Sequence, residues 1–342
     1  MVERQKSQTE GASSGGLAFE RPIQEIEAQI SELEELSLST RLDISGEIEA
    51  LKKRLKEEIE KTYSDLTAWE RVNVARHLKR PVASDYVAAI VDDFLELHGD
   101  RTFGDDPAMM TGLATMEDRR FMLVAHRKGR TTKERLECNF GCAHPEGYRK
   151  ALRKMRLAEK MGLPIVCLIN TPGAYPGIGA EERGQAMAIA ENILAMMTLR
   201  TPVVVLVIGE GGSGGALGIG VGDRVLMMEH SYYSVISPEG CAAILWRDGA
   251  RSPEAAEVLR LTSEDLLGLG VIDEIVREPL GGAHRAPLVA MAEVKRVLLR
   301  RLRELDEIPL ERLLAERRTK YRWMAAIENR FPTVEPAPPG PG

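Results

Sequence analysis

The residues best suited to chemistry form one glycine-rich segment near the middle of the chain. Residues 209–215 read Gly-Glu-Gly-Gly-Ser-Gly-Gly, and they follow the apolar run 202–208, which predicts a buried strand. Because most of these residues lack a side chain, their backbone amides stay accessible to a ligand. Amides between a strand end and a helix start suit the binding of an anion or a developing oxyanion.

One interpretation of this segment is a dinucleotide site. Gly209, Gly211 and Gly214 match the GxGxxG pattern after a strand, and Glu229 lies at the end of the next apolar run. The stretch that should form the crossover helix, residues 216–223, is short and rich in glycine. This context disfavours a dinucleotide site.

A second interpretation is a serine nucleophile. Gly211, Ser213 and Gly215 fit the GxSxG pattern, and His230 or His284 could act as the base. The flanking glycines exceed what a nucleophile elbow requires. We therefore favour a small residue that lets a helix approach as the explanation of Ser213.

The third interpretation is an oxyanion hole. Gly214 and Gly215 would begin a helix and present their amides, while Gly211 and Gly212 would let the backbone approach the ligand. A tight turn without a ligand usually needs only one or two glycines. The sequence therefore favours an oxyanion hole at Gly214 and Gly215.

A second strand end carries a similar pattern. The apolar run 165–169 leads into residues 170–179, a loop stiffened by two prolines. In open α/β sheets, ligands bind at the carboxyl ends of the strands. We therefore expect residues 170–179 and 209–215 to form parts of one pocket.

Other reactive side chains show weaker patterns. Lys128 and Arg130 form a basic patch that could meet phosphate or carboxylate, although a solvated face is the commoner outcome. Cys138, Cys142 and His144 lack the fourth ligand and the spacing of a structural zinc site, so no metal is expected in this chain. The absence of paired CxxC spacings predicts reduced thiols and a cytoplasmic protein.

Composition narrows the range of partners. The 342 residues carry a formal net charge of -6, which gives no global attraction to nucleic acid or to an acidic membrane. No apolar run reaches the roughly 18 residues that span a bilayer. Proteins and small molecules are the expected partners.

The chain divides by pattern into two tails, an arm and a body. Residues 1–18 and the proline-rich residues 322–342 are expected to be disordered. Helical spacing of isoleucine and leucine predicts a helical arm within residues 19–80. From residue 81 strands and helices alternate, which predicts an α/β fold. Strands are predicted at 121–125, 165–169, 203–208, 224–228 and 232–236, and helices at 145–161, at 181–199, from 238 and at 287–305.

Seven segments, taken in order, resemble the alpha-subunit family of the bacterial acetyl-CoA carboxylase carboxyltransferase. They are residues 126–130, 145–153, 171–177, 181–185, 209–215, 237–242 and 278–285. The resemblance runs from about residue 19 to residue 321. It implies a ClpP/crotonase-like superhelix of ββα units in residues 81–321, with the N-terminal helical arm as a subunit contact.

The resemblance also implies an activity. Members of the family transfer the carboxyl group of carboxybiotin, held on a biotin carboxyl carrier protein, to acetyl-CoA, giving malonyl-CoA for fatty acid biosynthesis. The alpha subunit forms the biotin side of the site, and a beta subunit with a zinc ribbon forms the CoA side. The implied complex has two alpha and two beta subunits, with biotin carboxylase in the wider assembly.

On this chain, the resemblance implies that the amides of Gly214 and Gly215 hold the ureido oxygen of biotin. The residues implied to line the biotin pocket are Gly173, Ala174, Tyr175, Pro176, Gly211 and Gly212. Asn170 departs from the aspartate that commonly precedes this loop, and Cys138, Cys142 and His144 also depart from the family pattern. The alternatives are a propionyl-CoA carboxyltransferase subunit, a hydratase or Ser213 hydrolase of the same fold, and a scaffold subunit without catalysis.

Overall fold

The computed structural model describes residues 16–40 and 43–324. Most of the two predicted tails, residues 1–15 and 325–342, therefore lies outside the described residues. The helices are α1 (Arg21–Thr40), α2 (Ser45–Ser64), α3 (Ala68–Arg76), α4 (Ala83–Ile90), α5 (Thr132–Glu137), α6 (Pro145–Met161), α7 (Ile178–Glu182), α8 (Gln185–Met196), α9 (Ser213–Leu217), α10 (Pro238–Trp246), α11 (Ser252–Leu259), α12 (Ser263–Gly268), α13 (Pro287–Asp306) and α14 (Leu310–Trp323). The strands are β1 (Asp93–Glu96), β2 (Met109–Met116), β3 (Arg119–His126), β4 (Ile165–Thr171), β5 (Val203–Gly212), β6 (Arg224–Met228), β7 (Tyr232–Ser234) and β8 (Glu274–Val276).

A mixed sheet organises the body. Its strands lie in the order β1-β2-β3-β4-β5-β6-β8, and β7 pairs with the end of β5. The first three strands are antiparallel neighbours, whereas the pairs from β3 to β8 are parallel. Every residue of β4 and β5 is buried, because helices cover both faces of the parallel half. The predicted α/β fold is confirmed.

Alternate residues of β5 face two separate apolar cores. Leu206 belongs to a core that includes side chains of α4 and α13, and Val205 belongs to a core that includes side chains of α6 and α8. The predicted helices at 145–161 and from 287 match α6 and α13. Pro145 and Pro287 begin these helices at positions that need no amide donor.

The N-terminal arm is a hairpin of α1 and α2 whose base packs on the body. Ile23, Ile59 and Tyr63 form an apolar cluster with Val74 of α3. Glu20, just before α1, is buried, and its Oε1 accepts a hydrogen bond from Tyr63 OH at 2.7 Å. Val72 of α3, the last helix of the arm, shares an apolar cluster with Leu261 of the body, and Glu20 Oε1 lies 3.2 Å from His284 Nε2. Both apolar and polar contacts therefore attach the arm to the body.

The helix predicted over residues 181–199 is wrong at its start. α7 ends at Glu182 and α8 begins at Gln185, because Gly184 between them adopts a left-handed conformation with φ of 81°. Arg183 at this break donates to the buried Glu146 of α6, at 2.8 Å between Nη2 and Oε1. The break therefore anchors the chain after the β4 loop to α6.

The last helix, α14, extends to Trp323, two residues beyond the expected end of the body. The sequence pattern gave no prediction for this helix. Its Arg317 is fully buried and pairs with Asp223, the residue just before β6. Within residues 16–40 and 43–324, no helix is long and apolar enough to cross a bilayer.

Candidate active site

The predicted loop 170–179 and the glycine-rich segment 209–215 lie at the carboxyl ends of neighbouring strands. β4 and β5 pair in parallel from Ile165 with Val203 to Ile169 with Val207, and after a register shift Thr171 pairs with Gly211. Such an irregularity re-aims the chain at the end of a strand. The structure therefore brings the two strand ends to one edge, as the sequence predicted.

The glycine-rich segment is a strand end and a helix start rather than a free loop. β5 continues through Gly212, because residues 210–212 pair with residues 232–234 of β7, and α9 begins at Ser213. Ser213 makes the turn with φ of 52°, a left-handed conformation that costs a residue with a side chain about 1–2 kcal/mol. The strand predicted at 203–208 is therefore four residues too short, and the corner lies at Ser213.

Gly212 and Gly215 lie directly against the backbone of the neighbouring loop. A Cβ atom on Gly212 would lie 2.0 Å from the carbonyl oxygen of Pro172, and one on Gly215 would lie 2.4 Å from the amide nitrogen of Ala174. No side chain fits in either place. These two glycines therefore let residues 212–215, which we call the glycine corner, lie close to the loop that follows β4.

Gly214 and Gly173 face open space instead. A Cβ atom on Gly214 would meet only the Ile189 side chain, at 3.8 Å, and one on Gly173 would meet no atom within 4 Å. Gly214 lines a cavity of about 310 Å³ whose other walls are mainly apolar, among them Leu217, Tyr233, Leu266 and Tyr321. Gly214 is therefore the glycine of the corner that adjoins a space for a ligand.

The amides of Gly214 and Gly215 lie in the first turn of α9. The first amides of a helix have no acceptor within the helix. Within the described part of the chain, neither amide donates to a side chain or to another loop. The Gly215 carbonyl, which shares its peptide group with the Ala216 amide, accepts from the buried Tyr148 hydroxyl at 3.2 Å, and this bond anchors the first turn of α9.

The loop after β4 is held by hydrogen bonds to its own backbone and to α8. Thr171 Oγ1 donates to the Gly173 carbonyl at 2.7 Å, and the Tyr175 amide donates to the Ala143 carbonyl at 3.0 Å. Gln185 Nε2 bridges the carbonyls of Ala143 and Tyr175, at 2.8 and 3.0 Å. The loop conformation is therefore fixed before any ligand binds.

The predicted pocket residues differ in their exposure. Gly173, Ala174 and Tyr175 are half-buried and Pro176 is exposed, whereas Gly211 and Gly212 are buried in β5. A Cβ atom on Gly211 would lie 2.9 Å from the Tyr233 ring. The contacts thus bring Gly173 and Ala174 to Gly212 and Gly215, and Gly211 to Tyr233. None of the predicted pocket residues is among the described residues that line the 310 Å³ cavity beside Gly214.

Lys128 of the predicted basic patch belongs to the interior of the site. Its Nζ pairs with Glu210, the acidic residue of the glycine-rich segment. Arg76 Nε donates to the same carboxylate at 2.7 Å, and Tyr232 OH donates at 2.8 Å. Burial favours the protonated acid, but Lys128 and Arg76 outweigh it and hold the pKa of Glu210 at about 2. The sequence signal that could have revealed this cluster was a single acid among the glycines that directly follow a predicted buried strand.

Arg130 also has protein partners. Its Nε lies 3.4 Å from Asp85 Oδ1, and its Nη1 donates to the Arg80 carbonyl at 3.4 Å. Lys128 and Arg130 therefore join segments of the fold to one another. The expectation of a solvated basic face is wrong for Lys128, which is mostly buried.

Asn170 links the two strand ends behind the loop. Its Oδ1 accepts a hydrogen bond from the Glu210 amide at 3.1 Å. A Cβ atom on Gly209 would lie 2.7 Å from the same oxygen, so the contact also requires a glycine there. An aspartate would offer the same acceptor with an added charge.

Comparison with known proteins identifies the family. Residues 16–325 match the model of a family described as acetyl co-enzyme A carboxylase carboxyltransferase-like. A Rhodopirellula baltica protein named acetyl-coenzyme A carboxylase carboxyl transferase subunit alpha is 53% identical over 307 residues, which cover 90% of this chain and 96% of the relative. The chain belongs to the carboxyltransferase alpha-subunit family.

Further relatives agree with this family. The protein of the same name from Thermus thermophilus is 51% identical over 311 residues, covering 91% of this chain and 98% of the relative. Among solved structures, a transcarboxylase 12S chain is similar with a TM-score of 0.51 and 21% identity, over 64% of this chain and 43% of that chain. The structural likeness confirms the crotonase-like fold.

The serine-nucleophile interpretation does not fit this member of the carboxyltransferase family. His230 and His284 both lie beside Tyr63, with 5.5 Å between the ring centroids of Tyr63 and His230 and 3.5 Å between Tyr63 OH and His284 Nε2. Ser213 lines the 310 Å³ cavity, whose lining among the described residues contains neither imidazole. The structure therefore does not bring Ser213 to either histidine that the sequence offered as its base.

The Cys138, Cys142 and His144 segment forms a packed loop. The His144 ring stacks on Tyr175 with 4.1 Å between centroids, and the His144 amide donates to Asp106 Oδ2 at 2.8 Å. Burial raises the pKa of the Cys142 thiol to about 11, so the thiolate that a metal would bind is disfavoured. Among the described residues, no cluster of three potential metal ligands includes either thiol.

A different set of ligand atoms lies at the base of the arm. Glu20, His77 and His284 place one potential ligand atom each within 4.8 Å of one another. Glu20 Oε1 already accepts from Tyr63 OH, lies 3.2 Å from His284 Nε2 and lies 3.4 Å from Arg285 Nη1. Because Glu20 Oε1 already has three protein neighbours, one of them a guanidinium, this carboxylate is better suited to hold the arm in place than to bind a cation.

Proposed function

We propose that this chain forms the biotin side of a carboxyltransferase that moves a carboxyl group from carboxybiotin to acetyl-CoA and yields malonyl-CoA. The observation that carries the proposal is the glycine corner at Ser213, held against the loop that follows β4 by contacts that exclude any Cβ atom on Gly212 or Gly215. Membership of the alpha-subunit family supports it.

The residues present fit a ligand with one polar oxygen and an apolar body. Gly214 offers an amide beside open space, and the cavity it lines is mainly apolar. Carboxybiotin, when bound, supplies the carboxyl group. In our proposal the amides of Gly214 and Gly215 donate to its ureido oxygen. The rest of the pocket is assigned to residues outside the lining of this cavity, namely Gly173, Ala174, Tyr175, Pro176, Gly211 and Gly212.

The chain's own contribution is positioning and oxyanion stabilisation. Amides fixed before the reaction lose little free energy to reorganisation when negative charge develops on the ligand oxygen. The bond from the buried Tyr148 hydroxyl to the Gly215 carbonyl and the pairing of residues 210–212 with β7 anchor the chain on both sides of these amides. Our proposal therefore assigns no acid or base on this chain, and a hydratase, which needs a free carboxylate beside the oxyanion hole, is disfavoured because Glu210 is bound by Arg76 and Lys128.

The family implies a carboxyltransferase complex with a beta subunit and biotin held on a carrier protein. We propose a complex of two alpha and two beta subunits, with zinc on the beta subunit, the acyl-CoA site on the partner's side, and biotin carboxylase in the wider assembly. Acetyl-CoA is the proposed acceptor and propionyl-CoA the alternative. The predicted cytoplasmic location stays a prediction.

Co-expression with a candidate beta subunit tests the proposal. Carboxyl transfer between malonyl-CoA and free biotin is measured for the purified complex and for each subunit alone. We expect activity only in the mixed complex. A mixed complex that assembles but transfers no carboxyl group would contradict the proposed function.

A further inference from the structure

Glu210 is an unusual residue for the place it occupies. It lies in β5 between Gly209 and Gly211, and its side chain is only 5% exposed. Removing a carboxylate from water is unfavourable unless charged partners compensate for the lost hydration. Packing alone therefore does not explain why a charged side chain is buried beside the glycine corner.

The partners of Glu210 come from three separate segments of the chain. Arg76 ends α3, Lys128 follows β3 and Tyr232 begins β7, and all three donate to the Glu210 carboxylate. Arg76 also donates to Glu239 in the first turn of α10, at 2.5 Å. Two cations and two carboxylates thus balance in a cluster that joins β5 to the elements around it.

The backbone of Glu210 is held as firmly as its side chain. Its amide donates to Asn170 Oδ1 at 3.1 Å, where the pairing of β4 with β5 shifts register. Residues 210–212 also pair with β7. The chain is therefore fixed four residues before Gly214, and the turn at Ser213 starts from a defined point.

We propose that Glu210 is a positioning residue for carboxyl transfer, which fixes the end of β5 so that the amides of Gly214 and Gly215 face the ligand oxygen. The inference rests on the proposed function of these amides. Glu210 itself contacts Arg76, Lys128 and Tyr232 rather than the cavity, so it acts through the backbone that follows it.

The expected effect is on turnover rather than on substrate binding. A displacement of about 1 Å in catalytic groups lowers the rate about 100-fold. Donors that stabilise charge only in the transition state affect kcat without a matching change in KM. Loss of the Glu210 carboxylate should therefore lower kcat about 100-fold and leave KM for malonyl-CoA within about threefold.

Glu210→Gln in the complex with the beta subunit is the test, because glutamine keeps the shape and removes the charge. Glu274→Gln is the matched control: Glu274 is a mostly buried strand carboxylate with two arginine partners, Arg300 and Arg301, and it lies on β8. The kinetic constants are measured together with hydrogen exchange of residues 203–217. We expect that Glu210→Gln exchanges faster than wild type only within residues 203–217. Glu274→Gln should exchange at the wild-type rate in this segment.

The outcomes separate this inference from the proposed function. If the wild-type complex transfers no carboxyl group, the proposed function is wrong. If the wild type is active and Glu210→Gln matches Glu274→Gln in kcat, only the positioning role is wrong. If Glu210→Gln does not fold, Tyr232→Phe is the second test, because it removes one donor to the Glu210 carboxylate and keeps the ring. A kcat lowered about threefold or more at constant KM supports the positioning role. An unchanged kcat overturns it.

Discussion

Gly215 and Ala174 approach so closely that a single methyl group between them is excluded. A Cβ atom on Gly215 would lie 2.4 Å from the Ala174 amide nitrogen and 2.4 Å from the carbonyl carbon of Gly173. Gly214, one position earlier, has open space at the same point. Adjacent glycines of one helix turn therefore have different tasks: Gly215 joins the two strand ends, and Gly214 faces the cavity.

Gly215→Ala should destabilise the protein. Glycine to alanine in a helix normally raises stability by about 0.5–1 kcal/mol. Here the methyl group would force apart two backbone segments, and overpacking of this kind costs about 1–3 kcal/mol. Urea unfolding compares Gly215→Ala with Gly46→Ala, a helical glycine of the arm with no atom near its Cβ position. We expect Gly46→Ala to be at least as stable as wild type, and a Gly215→Ala variant that is also at least as stable as wild type would refute the packing role.

Arg317→Met should cost about 3–5 kcal/mol, because it leaves the buried Asp223 without its cation. Arg317 bonds both Asp223 oxygens, at 2.8 and 2.6 Å, and the carbonyls of Met196, Leu199 and Thr201. Arg312→Met, on the same helix with an exposed pair to Glu316, is the control and should cost less than about 0.5 kcal/mol. Equal free energies of unfolding for the two variants would contradict the claim that Arg317 stabilises the fold by compensating the buried charge of Asp223.

The buried pair of Glu278 and Arg80 should make stability fall in acid. Burial favours protonated Glu278, but Arg80 and His230 outweigh it and hold its pKa at about 2, below the ordinary 4.5. The stabilisation is therefore complete above pH 4.5 and is lost as pH falls toward 2, on the order of 3 kcal/mol in all. Unfolding free energies of wild type and Glu278→Gln are compared from pH 6 downward. The difference should shrink below pH 4.5, and a constant difference would contradict the assignment.

Glu20→Ala should loosen the arm without unfolding the body. Glu20 Oε1 accepts from Tyr63 OH and also lies near His284 and Arg285, so the variant loses the polar contacts at the base of α1. Hydrogen bonds to a charged group contribute about 1.5–3 kcal/mol, so amide exchange over residues 21–40 should rise at least about tenfold. Glu25→Ala, which removes an exposed pair with Arg21, is the control. Unchanged exchange in Glu20→Ala would show that apolar contacts alone hold the arm.

Local patterns predicted the layers of the fold and the meeting of the two strand ends. The all-apolar run before Gly209 could only be a buried strand, and the prolines at 145 and 287 begin helices where expected. Patterns could not show that residues 210–212 continue the strand, because that depends on pairing with β7, whose residues lie about twenty positions later. The break at Gly184 likewise depends on one backbone conformation and on the Arg183–Glu146 pair.

The polar part of the site was least predictable. Lys128 and Glu210 are 82 positions apart, and their pairing depends on how β3 and β5 are arranged in the sheet. Gly214 and Gly215 look equivalent in the sequence, and only the position of the loop after β4 separates their roles. Long-range packing, which leaves no local periodic signal, decides both cases.

The most direct test of the central claim is carboxyl transfer by the complex that carries Gly214→Val. The valine Cβ atom would contact only the Ile189 side chain, at 3.8 Å, so the new side chain enters the open space beside Gly214. Gly46→Val, also at the second position of a helix with open space, is the control for helix propensity. We predict that Gly214→Val assembles with the beta subunit and loses about 100-fold or more in kcat, while Gly46→Val keeps wild-type activity. An assembled Gly214→Val complex with wild-type carboxyl transfer would contradict the account.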